Sequence, residues 1–254
     1  PRISPDGGRV LLSRSHVGEK NQLVSNLWIT DVDGDGDQST RQFTSGDKDS
    51  HGRWSPDGRR IAFTSARNER HPQIYILESQ GGEARPLTDF PEGTIGGWAW
   101  SPDAATLAVA FRETDANRTE AAEAGRDETG GSTPPWEIDE LFYRLDGDGY
   151  FGSARFRLHL VDTETGQQRM LFGRGTNPSF SFDWSPDSSE LLVATNVSRE
   201  PLLTPWKDEL FRIAAKAGTM PSSSGSAMLA PSPRSTVRRG SAFFRTIMTQ
   251  TSSS

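Results

Sequence analysis

Asp31, Asp33 and Asp35 occupy alternate positions of DVDGDGDQST, residues 31–40, and Gly36 follows directly. Carboxylates at loop positions one, three and five, with glycine at six for a sharp turn, are what the first half of an EF-hand offers calcium. The second half differs. Loop position twelve, which must supply a bidentate glutamate, is Gln42, and an EF-hand also needs a helix on each side. A solvated acidic turn is the better reading, with weak calcium binding by Asp31, Asp33 and Asp35 as its competitor.

Gly147, Gly149 and Gly152 in GDGYFG match the G-x-G-x-x-G string that cradles a dinucleotide pyrophosphate. That chemistry needs a strand before the glycines and a helix after them. The following SARFRLHLVD has a strand pattern, so a glycine-rich turn is predicted. The four histidines, His16, His51, His71 and His159, have no paired spacing that suggests a metal, and there is no cysteine. No G-x-S-x-G elbow, H-E-x-x-H pair or G-x-x-x-x-G-K-[ST] loop is present, so no serine sits in the setting that activates a hydroxyl. Asn117-Arg118-Thr119 and Asn196-Val197-Ser198 match the glycosylation sequon, a pattern common by chance. No catalytic, cofactor-binding or metal-binding residue is assigned, and no cofactor is expected.

The elements that would position such residues are short. With 25 Gly and 16 Pro in 254 residues, tight turns between strands are favoured over long helices. SPD recurs at Ser4-Pro5-Asp6, Ser55-Pro56-Asp57, Ser101-Pro102-Asp103 and Ser185-Pro186-Asp187, at spacings of 51, 46 and 84 residues. Two spacings match a four-stranded propeller blade, and the third matches a blade with an insertion. In the second copy a strand ends at Trp54, and Pro56 and Asp57 form a turn closed by Gly58, since Pro presets φ and Gly accepts the left-handed position. RIAFTS, QIYILES and ARPLT then supply three further strands. Trp54, Trp100 and Trp184 precede SPD and are predicted to pack between blades. Ala104 and Ser188 stand where the turn wants glycine, at roughly 1 kcal/mol each if φ is positive.

The predicted fold is all-β: a partial propeller of four-stranded antiparallel blades, about three and a half in number, over residues 1–215. The blades cover about 1–46, 47–91, 92–175 with an insertion at 112–152, and 176–215. The acidic stretch falls in the hairpin between the third and fourth strands of the first blade. Within the insertion, RETDANRTEAAEAGRDETGGSTPP is polar and predicted to be a mobile loop, and the aromatic WEIDELFYRLDGDGYFGSARFRLHLVD is predicted to be ordered. Residues 216–254 form a Ser/Arg-rich segment with ten serines and no acidic residue. Loss of the coding frame near Lys216 is the favoured reading of it. A basic partner-binding tail and a natural disordered extension are the alternatives. The N-terminus, starting at Pro1, is read as cut.

The net charge of −6 argues against nucleic acid as partner, and no apolar run approaches membrane length, the longest being Leu107 to Phe111. A cytoplasmic location is expected, with which the lack of cysteine is compatible. Blade edges left open are expected to drive self-association.

WSPDGRRIAFTSARNERHPQIYILESQGGEARPLT resembles the repeat of TolB-like propellers and of propellers in prolyl oligopeptidase-family serine peptidases. IDELFYRLDGDGYFGSARFRLHLVDTETG chooses between them. It is similar to a segment of bacterial acylaminoacyl-peptidase-like members, with Tyr143, Arg144, Asp146, Gly147, Gly149 and Tyr150 as its core. The resemblance implies a propeller that caps an α/β-hydrolase domain and admits short or N-acylated peptides. That domain, with its Ser, Asp and His, is missing from this chain, so no triad residue carries over and the chain alone is expected to be inactive. Related dipeptidyl peptidases hold the substrate amine with acidic side chains. Glu137, Asp139 and Glu140 lie in the insertion, but an acidic surface turn is the better reading of them. The alternative function is a TolB-like binding or scaffold propeller without enzymatic activity.

Overall fold

The computed structural model describes residues 1–34, 39–67 and 71–216. The chain forms two compact units, Pro1–Gly173 and Arg174–Ser254. The first unit holds three four-stranded antiparallel sheets. One contains β1 (Arg2–Ile3), β2 (Arg9–Val17), β3 (Leu23–Asp31) and β4 (Thr40–Gln42), in that order. The next contains β5 (Asp49–Trp54), β6 (Arg60–Ser65), β7 (Gln73–Glu78) and β8 (Arg85–Pro86). The third starts with β9 (Gly93–Trp100) and β10 (Thr106–Glu113). It resumes, after an inserted arm, with β13 (Arg157–Asp162) and β14 (Gln168–Phe172). The second unit holds a three-stranded sheet of β15 (Ser181–Trp184), β16 (Glu190–Asn196) and β17 (Asp208–Ala214). These are blades of the propeller type.

Each blade turns from first to second strand through the same hydrogen-bonded unit. The serine hydroxyl donates to the aspartate two residues on, at 2.5 Å for Ser4–Asp6 and Ser55–Asp57 and 2.6 Å for Ser101–Asp103 and Ser185–Asp187. The same hydroxyl accepts from the amide five residues on, as Arg9 N–H does at 2.9 Å and Glu190 N–H at 3.0 Å. The residue after Asp has φ of 78° at Gly7, 70° at Gly58, 59° at Ala104 and 61° at Ser188. Alanine and serine thus adopt the left-handed conformation that the SPD geometry imposes, against their own preference.

Between neighbouring sheets of the first unit lie two apolar layers. Leu11, Leu27 and Ile29 of the first blade meet Trp54, Ile61, Phe63, Tyr75 and Leu77 of the second. The opposite face of the second blade, Ala62, Ile74 and Ile76, meets Trp98, Trp100, Leu107, Val109 and Phe111 of the third. The alternation in RIAF and IYIL therefore does not divide core from solvent. It divides one neighbouring blade from the other, and β6 and β7 are buried on both faces.

The tryptophan before SPD recurs as an interblade contact. Trp54 Nε1 donates to the Arg2 carbonyl at 3.2 Å while the Arg9 guanidinium covers its ring at 4.7 Å. One blade on, Trp100 Nε1 donates to the Arg53 carbonyl at 3.4 Å and Arg60 covers its ring at 5.6 Å. Trp184 is buried as well.

One expectation fails here. The polar part of the insertion is not a loop throughout: it contains a 3-10 turn at Ala116–Arg118 and the helix α1 at Glu120–Thr129. Thr119 caps the helix by accepting from the Ala122 amide, Glu120 and Glu123 sit in its first turn, and Gly130 ends it at a φ of 69°. These are the local devices that stabilise helix ends. None of its residues is buried, so no apolar periodicity announced it. No helix among the described residues is long and apolar enough to cross a membrane. The segment beyond 216, with the frame-loss expectation, lies outside the described residues.

Candidate functional site

The most elaborated part of the chain is the arm inserted between β10 and β13. It carries α1 and a small hairpin of β11 (Arg144–Leu145) and β12 (Gly149–Tyr150). The G-x-G-x-x-G string is this hairpin and its exit, with φ of 80° at Gly147, 75° at Gly149 and 56° at Gly152. No helix follows, so the phosphate-binding geometry is not formed. A side chain at Gly152 would also press to 3.0 Å from the Trp136 ring.

Two arginines lock the arm. Arg112 on β10 is 5% exposed and grips Asp148 through both carboxylate oxygens, at 2.8 and 2.6 Å. Its guanidinium lies 4.6 Å from the Phe151 ring and 4.7 Å from Phe156. A bidentate ion pair between aromatic faces is the arrangement that best compensates an arginine for lost water. Arg155 pairs with Glu140 and donates to the Phe142 carbonyl at 2.7 Å and the Gly152 carbonyl at 2.9 Å. On the outer side, Trp136 stacks on Tyr150 at 5.8 Å, Tyr143 lies at the same distance, and Arg118 sits 3.9 Å over Trp136. Ile138, Leu141 and Tyr150 remain 51%, 47% and 50% exposed. The arm is a firmly anchored aromatic projection.

The motif residues divide unevenly. Tyr143, Arg144 and Tyr150 cluster at the hairpin, and Arg144 lies 5.5 Å over Tyr150. Asp146 is fully exposed and reaches Arg144 only at 3.7 Å. The anchoring carboxylate is Asp148, a variable position of the Tyr-Arg-x-Asp-Gly-x-Gly-Tyr pattern, which the sequence reading passed over. Glu140 is committed to Arg155, while Glu137 and Asp139 are exposed. These three carboxylates therefore do not form one amine-binding cluster.

Asp31 and Asp33 are exposed at the β3 end of a hairpin leading to β4. Both flanks are strands, unlike an EF-hand. Asp35 lies outside the described residues. Among the described residues no group of three His, Asp or Glu side chains could hold a metal ion. His159 is packed edge-on to Phe90 at 5.3 Å, and burial, helped by Arg157, lowers its basicity. His51 sits at a bulge of β5 with φ of 54°. There Ser50 Oγ and His51 Nδ1 come within 2.9 Å, and Thr64 Oγ1 lies 3.2 Å from the same nitrogen. Among the described residues no carboxylate orients this imidazole. The contact is a local polar turn of adjacent residues, short of a catalytic triad.

A second locus lies where the first strands of three blades converge. Arg2 and Ile3 of β1, Arg53 and Trp54 of β5, and Ala99 and Trp100 of β9 line an open cleft of about 500 Å³. Arg53 is half-buried and lies 4.9 Å over the Trp98 ring. The SPD register makes Arg2, Arg53, Ala99 and Asp183 equivalent positions, each two residues before its serine. Burial raises the carboxyl pKa of Asp183.

Repeated four-stranded antiparallel blades joined by SPD turns, with an ordered arm in one of them, define a β-propeller of the kind shared by TolB and prolyl oligopeptidase-family peptidases. The chain is homologous to the propeller region of those peptidases. It is 34% identical over 203 residues to the uncharacterized peptidase YuxL of Bacillus subtilis (strain 168), which covers 78% of this chain and 29% of that protein. A shorter match, 36% over 78 residues, joins it to the Tol-Pal system protein TolB of Alcanivorax borkumensis, covering 31% of this chain and 18% of that one. Among solved structures the acylaminoacyl peptidase of Pyrococcus horikoshii superposes with a TM-score of 0.60 at 17% identity, over 84% of this chain and 30% of that one. That likeness concerns the fold. No protein-family model matches the chain. The chain spans less than a third of the peptidases it matches.

Proposed function

We propose that this chain is the non-catalytic, substrate-gating propeller portion of a prolyl oligopeptidase-family serine peptidase whose complete form hydrolyses short or N-acylated peptides. The observation that carries the reading is the length of the peptidase match. It runs over 203 residues, against 78 for the TolB match. In this reading the serine, histidine and acid are supplied from outside these 254 residues. The propeller contributes by filtering and orienting peptides, which lowers the entropic part of the barrier without supplying chemistry. The arm, held by Arg112–Asp148 and Arg155–Glu140, is the firm edge of that filter.

A chimera tests it: residues 1–216 of this chain replace the matching region of the Bacillus subtilis peptidase. Cleavage of N-acylated di- and tripeptide reporters, with exclusion of thirty-residue peptides, is the expected result. A chimera that folds and cleaves long and short peptides alike would sink the gating reading. The alternative, a TolB-like binding or scaffold propeller without activity, is favoured only by the 78-residue match. It would be supported by an inactive, folded chimera.

A further inference from the structure

We propose that Arg2 and Arg53, side by side on the first strands of adjacent blades, form a binding site for a peptide carboxylate in the cleft where those strands converge. Both residues line two neighbouring clefts, of about 500 and about 360 Å³. The second adds the hydroxyl-bearing Ser13 and Ser50 to its wall. Among the described residues no Asp or Glu pairs with either guanidinium, whereas Arg60, Arg67, Arg112 and Arg155 all have carboxylate partners. Neither cleft has an Asp or Glu in its lining, so nothing in its wall offers the two cations a counter-charge.

Arg53 is also poorly placed to be left alone. Arg53 is held against Trp98, a contact that fixes its plane without neutralising its charge. Burial, and then the nearby positive charge of Arg2, shift its guanidinium toward the neutral form. Arg2 has no aromatic platform, because the residue equivalent to Trp98 in the second blade is Gly52. A side chain at Gly52 would press to 2.7 Å from Leu11, so the packed interface keeps that side of the cleft clear. Two guanidinium groups without a carboxylate partner among the described residues, one of them held against an indole, match the fork geometry of a carboxylate. An acyl or amide end of a peptide offers no such charge.

The choice of a peptide as the carrier rests on the gating reading; the carboxylate chemistry does not. The test therefore uses this chain alone, so that failure here leaves size selection in the chimera standing, and the reverse. N-acetyl-trialanine with a free C-terminal carboxylate, its C-terminal amide, and N-acetyl-Ala-Glu-Ala amide are titrated calorimetrically into the 254-residue chain. The free acid is expected to bind about tenfold or more tightly than its amide, as a bidentate charged pair requires. Binding of the glutamyl amide as well would show that side-chain carboxylates are also taken. Arg53→Gln and the exposed Arg2→Gln should each weaken the free acid about tenfold, and Arg53→Lys should recover part of the loss. Circular dichroism on each variant confirms that the blades remain folded. Equal binding of acid and amide, no binding by any of the three, or undiminished binding by both glutamine variants would overturn the proposal.

Discussion

One oxygen of Asp187 accepts from the Ser185 hydroxyl at 2.6 Å, the Ser189 hydroxyl at 2.8 Å and the Ser189 amide at 3.1 Å. These bonds favour the charged form and hold its pKa at about 2, against an ordinary value of 3.8. Asp6 is lowered by the same hydroxyl and amide geometry, from Ser4 and Gly8. A carboxylate depressed on folding stabilises the native state fully above its unfolded value, and that stability is lost as pH falls toward the folded value. The urea midpoint should therefore drop as pH falls from about 4 to about 2, and Asp187→Asn should flatten part of that slope. An unchanged slope in the variant would show that the turn does not sense acid. At the next turn position the balance differs between blades. Gly58→Ala should destabilise by about 1 kcal/mol, because its φ is 70° and its nearest neighbour, Pro5, lies at an ordinary 3.7 Å. Ala104→Gly should be near neutral in a thermal melt. Release of about 1 kcal/mol of backbone strain is offset by loss of a methyl that is 3% exposed.

At the level of elements, the arm separates two aspartates that look alike in the sequence. Asp148 neutralises an arginine whose side chain is 6% exposed, and Asp146 faces water. Removing one partner of a buried pair leaves an uncompensated charge, at a cost of about 2–3 kcal/mol for a pair partly open to solvent. Asp148→Ala should therefore speed proteolytic cutting within residues 114–152 and lower the melting temperature. Asp146→Ala should do neither. Similar cutting rates for the two variants would remove Asp148 from its anchoring role. The helix α1 shows the same lesson from the opposite side. Its cap and its helix-forming EAAEA run are plain in the sequence, yet it lies in a stretch whose polarity reads as loop, because burial was the signal sought.

For the molecule as a whole, the described blades carry no assembled acyl-transfer machinery. Ser50 and His51 touch, but they are chain neighbours at a strand bulge with no orienting acid. The purified chain should take no label from a fluorophosphonate probe and cleave no acylaminoacyl or dipeptidyl reporter above background. Heat-sensitive labelling of any one serine would refute this. Self-association is a further expectation of the same scale. Among the described residues β17 pairs only with β16, whereas each of the other three blades has four strands, and Leu210 on β17 is 57% exposed. An unpaired strand edge recruits another strand. Sedimentation should show concentration-dependent oligomers that Leu210→Lys reduces, and a monomer at all concentrations would contradict it.

The blade plan was legible because it is local. A Ser-Pro-Asp triplet with a left-handed residue after it specifies its own turn through bonds reaching at most five residues, and four copies at blade spacing leave little else to build. Which face of a strand meets which neighbour was not legible. With β6 and β7 buried on both sides, alternation records two different partners, and only packing assigns Phe63 to the first blade and Ile76 to the third. The acidic run was placed between two strands by its sequence context, and its two ends do fall on β3 and β4, which pair antiparallel. The anchor Asp148 and the unpaired Arg2 and Arg53 were missed for one shared reason. Their meaning lies in what stands beside them across 36 residues in one case and 51 in the other, and charge partners at such separations exist only once the chain has folded.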